Sequence, residues 1–159
     1  MDELLSILKS NARTSVEDIA KMVRSTPEAV AARIEGYEKE GTIRGYRTLI
    51  NEDHLKEDSV TAVIEVRVQP EREGGFDRIA RRISGFPEVV NMYLMSGKFD
   101  LLLFVEGKNL REVAMFVSER LATLDGVLST GTHFMLKSYK QDGVLMDGEA
   151  PDERLQVSP

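Results

Sequence analysis

The 159-residue chain contains no cysteine and no tryptophan, and only two histidines. Without cysteine there can be no disulfide, thiol nucleophile or thiolate-ligated metal, and such a composition suits a reducing compartment, so a cytoplasmic location is expected. The histidines, His54 and His133, stand far apart in sequence, and neither has a companion at ligand spacing. No metal and no cofactor are therefore expected, and neither histidine is assigned to acid–base chemistry. The glycine pair in Glu71-Arg72-Glu73-Gly74-Gly75 lacks the lysine and the serine or threonine that open the helix of a phosphate-binding loop. No apolar run approaches the roughly 20 residues needed to cross a bilayer, so no membrane partner is expected. The acidic start Met1-Asp2-Glu3 would make a poor targeting leader. Positive charge is not in excess either: 21 Lys and Arg face 27 Asp and Glu, a net charge of −6. That argues against an indiscriminate polyanion binder, but not against a local basic face.

Up to Gly41 the pattern reads as three short helices. Leu4, Leu5, Ile7 and Leu8 form one apolar face, ended by Asn11-Ala12-Arg13-Thr14. Ser15 has the character of an N-cap, with Asp18 three residues on in the place of a capping-box acid. Val16, Ile19, Ala20 and Val23 then recur at helical spacing. The next break, Arg24-Ser25, is two residues long. Thr26 is a good N-cap, and Pro27 falls at the first helical position, where a missing N–H costs nothing. The third helix presents Val30, Ile34 and Tyr37 and should end near Gly41. Helices so short and so tightly joined must cross steeply, as in a helix–turn–helix. Thr42-Ile43-Arg44 and Tyr46-Arg47-Thr48-Leu49-Ile50, parted by Gly45, predict a small hairpin, a wing. Residues 1–50 are thus read as a winged helix–turn–helix domain, and the polar stretch 51–59 as a linker.

The second half alternates differently. Val60, Ala62, Ile64, Val66 and Val68 share one side of a strand, with Thr61, Glu65 and Arg67 on the other. Phe76, Ile79, Ala80 and Ile83 mark a short helix closed by Gly85 and Pro87. Val89–Met95 and Leu101–Glu106 read as strands parted by Ser96-Gly97-Lys98-Phe99-Asp100. Asn109 and Glu112 start a longer helix with the stripe Leu110, Val113, Ala114, Val117, Leu121 and Leu124, ended by Gly126. Thr130–Ser138 is the last strand. The order β-α-β-β-α-β predicts a ferredoxin-like sandwich over 60–140, so the chain is α+β. Two helices cover one sheet face. The other, carrying residues such as Tyr93 and Phe134 or their alternates, is left without cover and implies a partner, most simply a second copy. Residues 141–159 read as a loosely held acidic tail, within which Arg154-Leu155-Gln156-Val157 could dock as a short strand.

This order of elements, with Glu40-Gly41-Thr42-Ile43-Arg44-Gly45-Tyr46 at the helix end and wing, resembles the leucine-responsive regulator/asparagine regulator (Lrp/AsnC) family. Gly97-Lys98-Phe99-Asp100-Leu101-Leu102-Leu103 is similar to the family's glycine–aromatic–aspartate turn running into an apolar strand. Leu124-Asp125-Gly126-Val127, followed by Thr130, Thr132 and Leu136, resembles its last helix end and strand. The resemblance implies a regulator of transcription rather than an enzyme. It also implies pairing through the second domain into homodimers, assembly into octamers or other higher forms, and a small effector, commonly an amino acid, held between subunits. Some proteins of this fold pair decarboxylate haem precursors, with a His-, Tyr- and Arg-rich stretch entering the second domain; residues 58–68 hold no such cluster.

A third helix in the major groove of double-stranded DNA would present Thr26, Glu28, Ala31, Ala32, Arg33 and Glu35. Arg33 suits a guanine edge or a phosphate, and Thr26 a phosphate. Glu28 either accepts from a cytosine amino group or only supports the helix N-terminus. Arg24, Arg44 and Arg47 are candidates for backbone contacts. Arg24 stands where a glycine is common in such turns, and Ser25 where an apolar residue is expected. For the effector, Ser96, Gly97, Phe99 and Asp100 are the candidates: glycine lets backbone N–H groups approach a carboxylate, Asp100 suits an α-amino group, and Phe99 walls the site. The resemblance adds Thr130, Gly131 and Thr132. The same turn also reads as a plain β-turn in which Gly97 supplies positive φ and Asp100 caps local N–H groups.

Overall fold

In the computed structural model, which describes residues 2–55, 59–70 and 75–146, the chain divides into two units, Met1–Ile50 and Asn51–Pro159. The first is built from α1 (Glu3–Ser10), α2 (Val16–Met22) and α3 (Pro27–Lys39). Leu4, Ile19, Ala20 and Val30 form its buried centre, with Ile7, Leu8, Ile34 and Tyr37 packed around them. Each helix starts on a side-chain cap. Asp2 accepts from the Leu4 N–H at 2.9 Å, Ser15 from the Asp18 N–H at 3.1 Å, and Thr26 from the Ala29 N–H at 3.3 Å. The turn from α2 to α3 closes through a left-handed Arg24 (φ 52°), with the Ser25 N–H bonded to the Ala20 carbonyl at 2.9 Å and the Arg24 N–H to that of Lys21 at 3.4 Å. That is the double bond pattern of a helix end that glycine usually makes.

Asp2 does more than cap. Its Oδ2 accepts from the Arg33 guanidinium at 2.5 Å and from the Tyr37 hydroxyl, so one carboxylate ties the start of α1 to two successive turns of α3. The Tyr37 hydroxyl, then the Leu4 N–H and Arg33, hold the Asp2 carboxyl below its ordinary value of 3.8.

The predicted wing is absent as a hairpin: residues 42–50 contain no strand. The Ile43 N–H turns back to the Tyr37 carbonyl at 3.0 Å, and the Tyr46 hydroxyl bonds Glu38 at 2.8 Å, so this segment is anchored to α3 instead of to itself. Arms of three and five residues with no alternating apolar set are too short to hold a hairpin in water.

In the second unit, β1 (Val60–Val68), β2 (Val89–Leu94), β3 (Leu101–Gly107) and β4 (Val127–Phe134) form one antiparallel sheet in the order β2-β3-β1-β4, with α4 (Asp77–Ser84) and α5 (Leu110–Met115) supplied between strands. This is the predicted split βαβ arrangement. Ala62, Ile64, Val66 and Val68 are buried with Leu101, Leu103 and Val105 against Ile79, Ile83, Val113 and Phe116. The opposite face carries Val63, Glu65, Leu102, Phe104 and Tyr93, with the Tyr93 and Phe104 rings edge to face at 6.2 Å. Tyr93 is 52% exposed there. Phe134 pairs with Ala62 and so falls on the helix side; its neighbour His133 takes the outer position, 3.6 Å from Glu65.

Three local expectations are corrected. The long helix is α-helical only to Met115 and then a π-helix, Phe116–Leu121, closed by the Ala122 N–H to the Val117 carbonyl at 2.8 Å. Phe116 and Leu121 are buried at a spacing of five, which the wider turn sets, whereas Leu110 and Ala114, in the α-helical part before it, are exposed. The last strand runs Val127–Phe134 and stops short of Ser138. Beyond it, Lys140–Gln141 (β5) and Val144–Leu145 (β6) form a hairpin around Asp142 and Gly143, both at positive φ, where a loose tail was expected. Met146 then packs inward, and its carbonyl accepts from Asn51 Nδ2 at 2.6 Å. The Arg154–Val157 strand expectation lies outside the described residues.

Replacing Arg24 with glycine should relieve its left-handed strain and stabilise the first unit by about 0.5–1 kcal/mol, read as a higher denaturation midpoint; a lower midpoint would show that Arg24 makes a compensating contact. The Asp2 contribution should be fully present above about pH 4 and be lost as pH falls through its depressed folded value. Acid melts of wild type and Asp2→Asn should therefore differ at neutral pH and converge in acid. A constant difference between them would refute the ionised clamp.

Candidate functional site

One exposed face of the first unit is the N-terminal half of α3 with what flanks it. Thr26, Glu28, Ala29, Ala31 and Ala32 are open to solvent there, along with Arg24 in the turn and Arg44 and Arg47 beyond the helix. Ala29 was overlooked in the sequence, although Ala29 and Ala32, three residues apart on the exposed side of the helix, make a shallow apolar surface suited to thymine methyl groups. Glu28 is drawn back: its own backbone N–H, then the Thr26 hydroxyl, lower its pKa. Its negative charge thus serves the helix N-terminus at its own position.

Arg33 is placed differently from the other candidates. It lies on the seventh residue of α3, held in the Asp2–Tyr37 clamp, and hydrogen bonding to Tyr37 and Asp2 raises its pKa. The clamp partner sits 31 residues away, so spacing alone gave no sign of it. Arg24, Arg44 and Arg47 are exposed, and no ion pair among the described residues holds them. The Arg44 guanidinium lies over Gly41 (φ 74°), where a Cβ would stand 3.2 Å from its Cζ.

In the second unit the turn 96–100 joins β2 to β3. Its outer residues Ser96 and Gly97 are exposed, Gly97 has φ 143° with open space where a side chain would project, and Phe99 and Asp100 are half-buried. Asp100 is the fastening point of this end of the sheet. Its Oδ2 accepts from the Val68 N–H at 2.9 Å, its N–H bonds the Val66 carbonyl at 3.0 Å, and its carbonyl accepts from the Met95 N–H at 2.8 Å. Thr130 pairs with Val66 from the other side of β1, Gly131 with Glu65, and Thr132 with Ile64. The sheet thus brings Asp100 and Thr130 to two flanks of one β1 residue, about 10 Å apart across two strand spacings. Thr130 and Thr132 share the helix side of the sheet with Val66 and Ile64, whereas Gly131 opens toward Glu65 and His133 on the other face.

Among the described residues no group of His, Asp and Glu has the arrangement of a metal site, and no helix is long and apolar enough to cross a membrane.

Comparison with known proteins gives the same partition. Residues 3–38 match the AsnC-type helix-turn-helix domain, and residues 61–145 match the Lrp/AsnC ligand binding domain. The chain is 46% identical over 160 residues to an uncharacterized HTH-type transcriptional regulator, YugG, of Bacillus subtilis, covering 99% of this chain and 95% of the relative. It is 32% identical to a proline dehydrogenase transcriptional activator of Rhodobacter capsulatus, over 85% of this chain and 87% of that one. A leucine-responsive regulatory protein of Haemophilus influenzae is 28% identical over 91% and 86% of the two chains. Among solved structures, a transcriptional regulator of Neisseria meningitidis in complex with L-Met shares the fold with a TM-score of 0.69 at 22% identity, over 92% of this chain and 97% of that one. With both domains matched in order and a relative this similar along nearly its whole length, the chain belongs to the Lrp/AsnC family of transcriptional regulators.

Proposed function

We propose that the chain is a sequence-specific DNA-binding regulator that acts as a homo-oligomer in the cytoplasm and works by binding, not catalysis. The observation that carries this reading is the exposed N-terminal half of α3, set on a tight turn and flanked by Arg24, Arg44 and Arg47. Thr26 and these three arginines are the proposed phosphate contacts, and Ala29 and Ala32 meet base edges. Glu28 supports the helix, and Arg33 holds the fold of the domain in place of reading DNA. The uncovered sheet face with Val63, Leu102, Phe104 and Tyr93 is the proposed dimer surface, and dimers assemble further, an octamer being the form the family resemblance implies.

The proposed effector is an α-amino acid at the Ser96, Gly97, Phe99 and Asp100 turn, completed by Thr130, Gly131 and Thr132 across a subunit boundary. A relative named for leucine and a structural neighbour holding L-Met support that class of ligand. One Asp100 oxygen is already committed to Val68, and Asp100 and Thr130 are far apart for one small ligand. Both facts favour a site that a second subunit completes. The effector shifts DNA affinity only by the difference in its own affinity for the two assembly states.

A second reading, an amino-acid sensor or architectural scaffold with weak DNA binding, draws on the net charge of −6 and on Glu28 and Glu35, the two glutamates on the face of α3 read as presented to DNA. A gel-shift titration against the gene's own upstream DNA, at two salt concentrations with excess competitor, separates the two. The regulator gives a competitor-resistant shift that weakens with salt, and Arg44→Ala and Arg47→Ala each lower the salt slope by about 1. The absence of a resistant shift at low salt, with and without an amino-acid panel, would refute DNA recognition there and favour the scaffold.

A further inference from the structure

Helix α4 in the second unit carries positive charge that the α3 surface does not use. In a chain of net charge −6, residues 78–87 hold three arginines and no acid. Ile79 and Ile83 are buried in the core of the unit, and Ala80 is half-buried. Arg78, Arg81 and Arg82 fall on the outward side at i, i+3 and i+4, so they are neighbours on one strip, and all three are exposed.

Local structure does not consume this charge. Among the described residues the ion pairs of Lys and Arg join Lys21 with Asp18, Arg33 with Asp2, Lys39 with Glu35 and Arg120 with Glu88, and none engages Arg81 or Arg82. Asp77 stands four residues before Arg81, the favourable order for a helical pair, yet no ion pair joins them. Both arginines lie in the last turn of α4, where positive charge suits the helix dipole. That interaction acts through charge alone and leaves the N–H donors of the two guanidinium forks to the solvent side. Such forks match the oxygens of a phosphate.

We propose that the outward strip of α4 is a second DNA contact, in which Arg81 and Arg82 donate to phosphates of the duplex. This rests on the DNA-binding reading above and adds to it a surface of the second unit. The partner is the sugar–phosphate backbone and not a base sequence, because the strip offers charge and phosphate-shaped donors without an apolar neighbour to sense a base. The contact serves DNA that runs on past the site held by α3, so it adds affinity for long DNA without altering which sequence is read.

Salt titrations of the full chain test this on two duplexes, one trimmed to the bound site and one extended well past it. On the long duplex the double variant Arg81→Ala/Arg82→Ala should lower the slope of log K against log salt by about 2 for each chain that grips it, and Arg81→Lys/Arg82→Lys should keep the slope. On the trimmed duplex all three proteins should agree. An unchanged slope on the long duplex, an equal loss on the trimmed one, or equal losses in the alanine and lysine variants would each overturn the proposal. Failure of the wild-type chain to bind either duplex would refute the DNA-binding reading itself, and the α4 contact with it. If the alanine variant does not fold, phenylglyoxal labelling of the wild-type arginines decides. Bound long DNA should protect Arg81 and Arg82 together with Arg44 and Arg47. Protection of Arg44 and Arg47 alone overturns the α4 contact and leaves the reading of α3 standing.

Discussion

Strand β1 is the constraint on which the second unit rests. Two of the sheet's three ladders run through it, to β3 on one side and to the edge strand β4 on the other, and its residues alternate strictly between two environments. Ala62, Ile64, Val66 and Val68 are sealed under the helices, which fixes the register, since a slip of one residue would send all four to the outer face. The same alternation obliges Val63 and its neighbours Leu102, Phe104 and Tyr93 to face outward together. The apolar outer face is thus a consequence of how the core is made, and a second copy is the simplest way to cover it. Asp100 holds the far end of this strand by bonding Val68 and Val66, so the turn proposed to sense the effector is also the fastening of β1 to β3. A ligand at Asp100, as proposed, would act on the sheet whose outer face is the proposed dimer surface, a physical route from sensing to assembly.

In the first unit the comparable role falls to Asp2. One carboxylate receives the Leu4 N–H, the Arg33 guanidinium and the Tyr37 hydroxyl, locking α1 against the helix proposed to enter the groove. The geometry of α3 is then set by a polar clamp at one end and by the capped Thr26-Pro27 start at the other. Its exposed N-terminal half carries Thr26, Glu28 and small side chains, so the proposed phosphate contacts fall to Thr26 and the flanking arginines.

Much of this was legible in the sequence because it depends on short-range chemistry. Ser15, Thr26-Pro27 and Asn109 announced helix starts, and the alternation from Val60 to Val68 announced the central strand with its buried side. What escaped depends on partners distant in sequence or on helix geometry that a fixed period cannot express. Arg33 looked free for DNA because nothing near it in sequence predicts Asp2 as its partner. The switch to a π-turn was hidden because the stripe of Leu110, Val113, Val117 and Leu121 suits an ordinary helix; only the large apolar Phe116, five residues before Leu121, hinted at another phase. The Asp142-Gly143 turn was a readable hairpin signal, masked by the acidic composition around it. For the effector site, the sequence named a turn and a strand, and the sheet sets Asp100 and Thr130 on opposite flanks of β1, a separation that no linear pattern reports.

Sedimentation equilibrium of the full protein, wild type against Phe104→Lys, shows whether the outer sheet face joins copies of the chain. Wild type is expected to sediment as a dimer or a multiple of it. Phe104→Lys is expected to shift toward the mass of one chain, with the far-ultraviolet circular dichroism of the folded domains retained. A wild-type chain that sediments as a monomer at tens of micromolar, or a folded Phe104→Lys chain that keeps the wild-type mass, would contradict it.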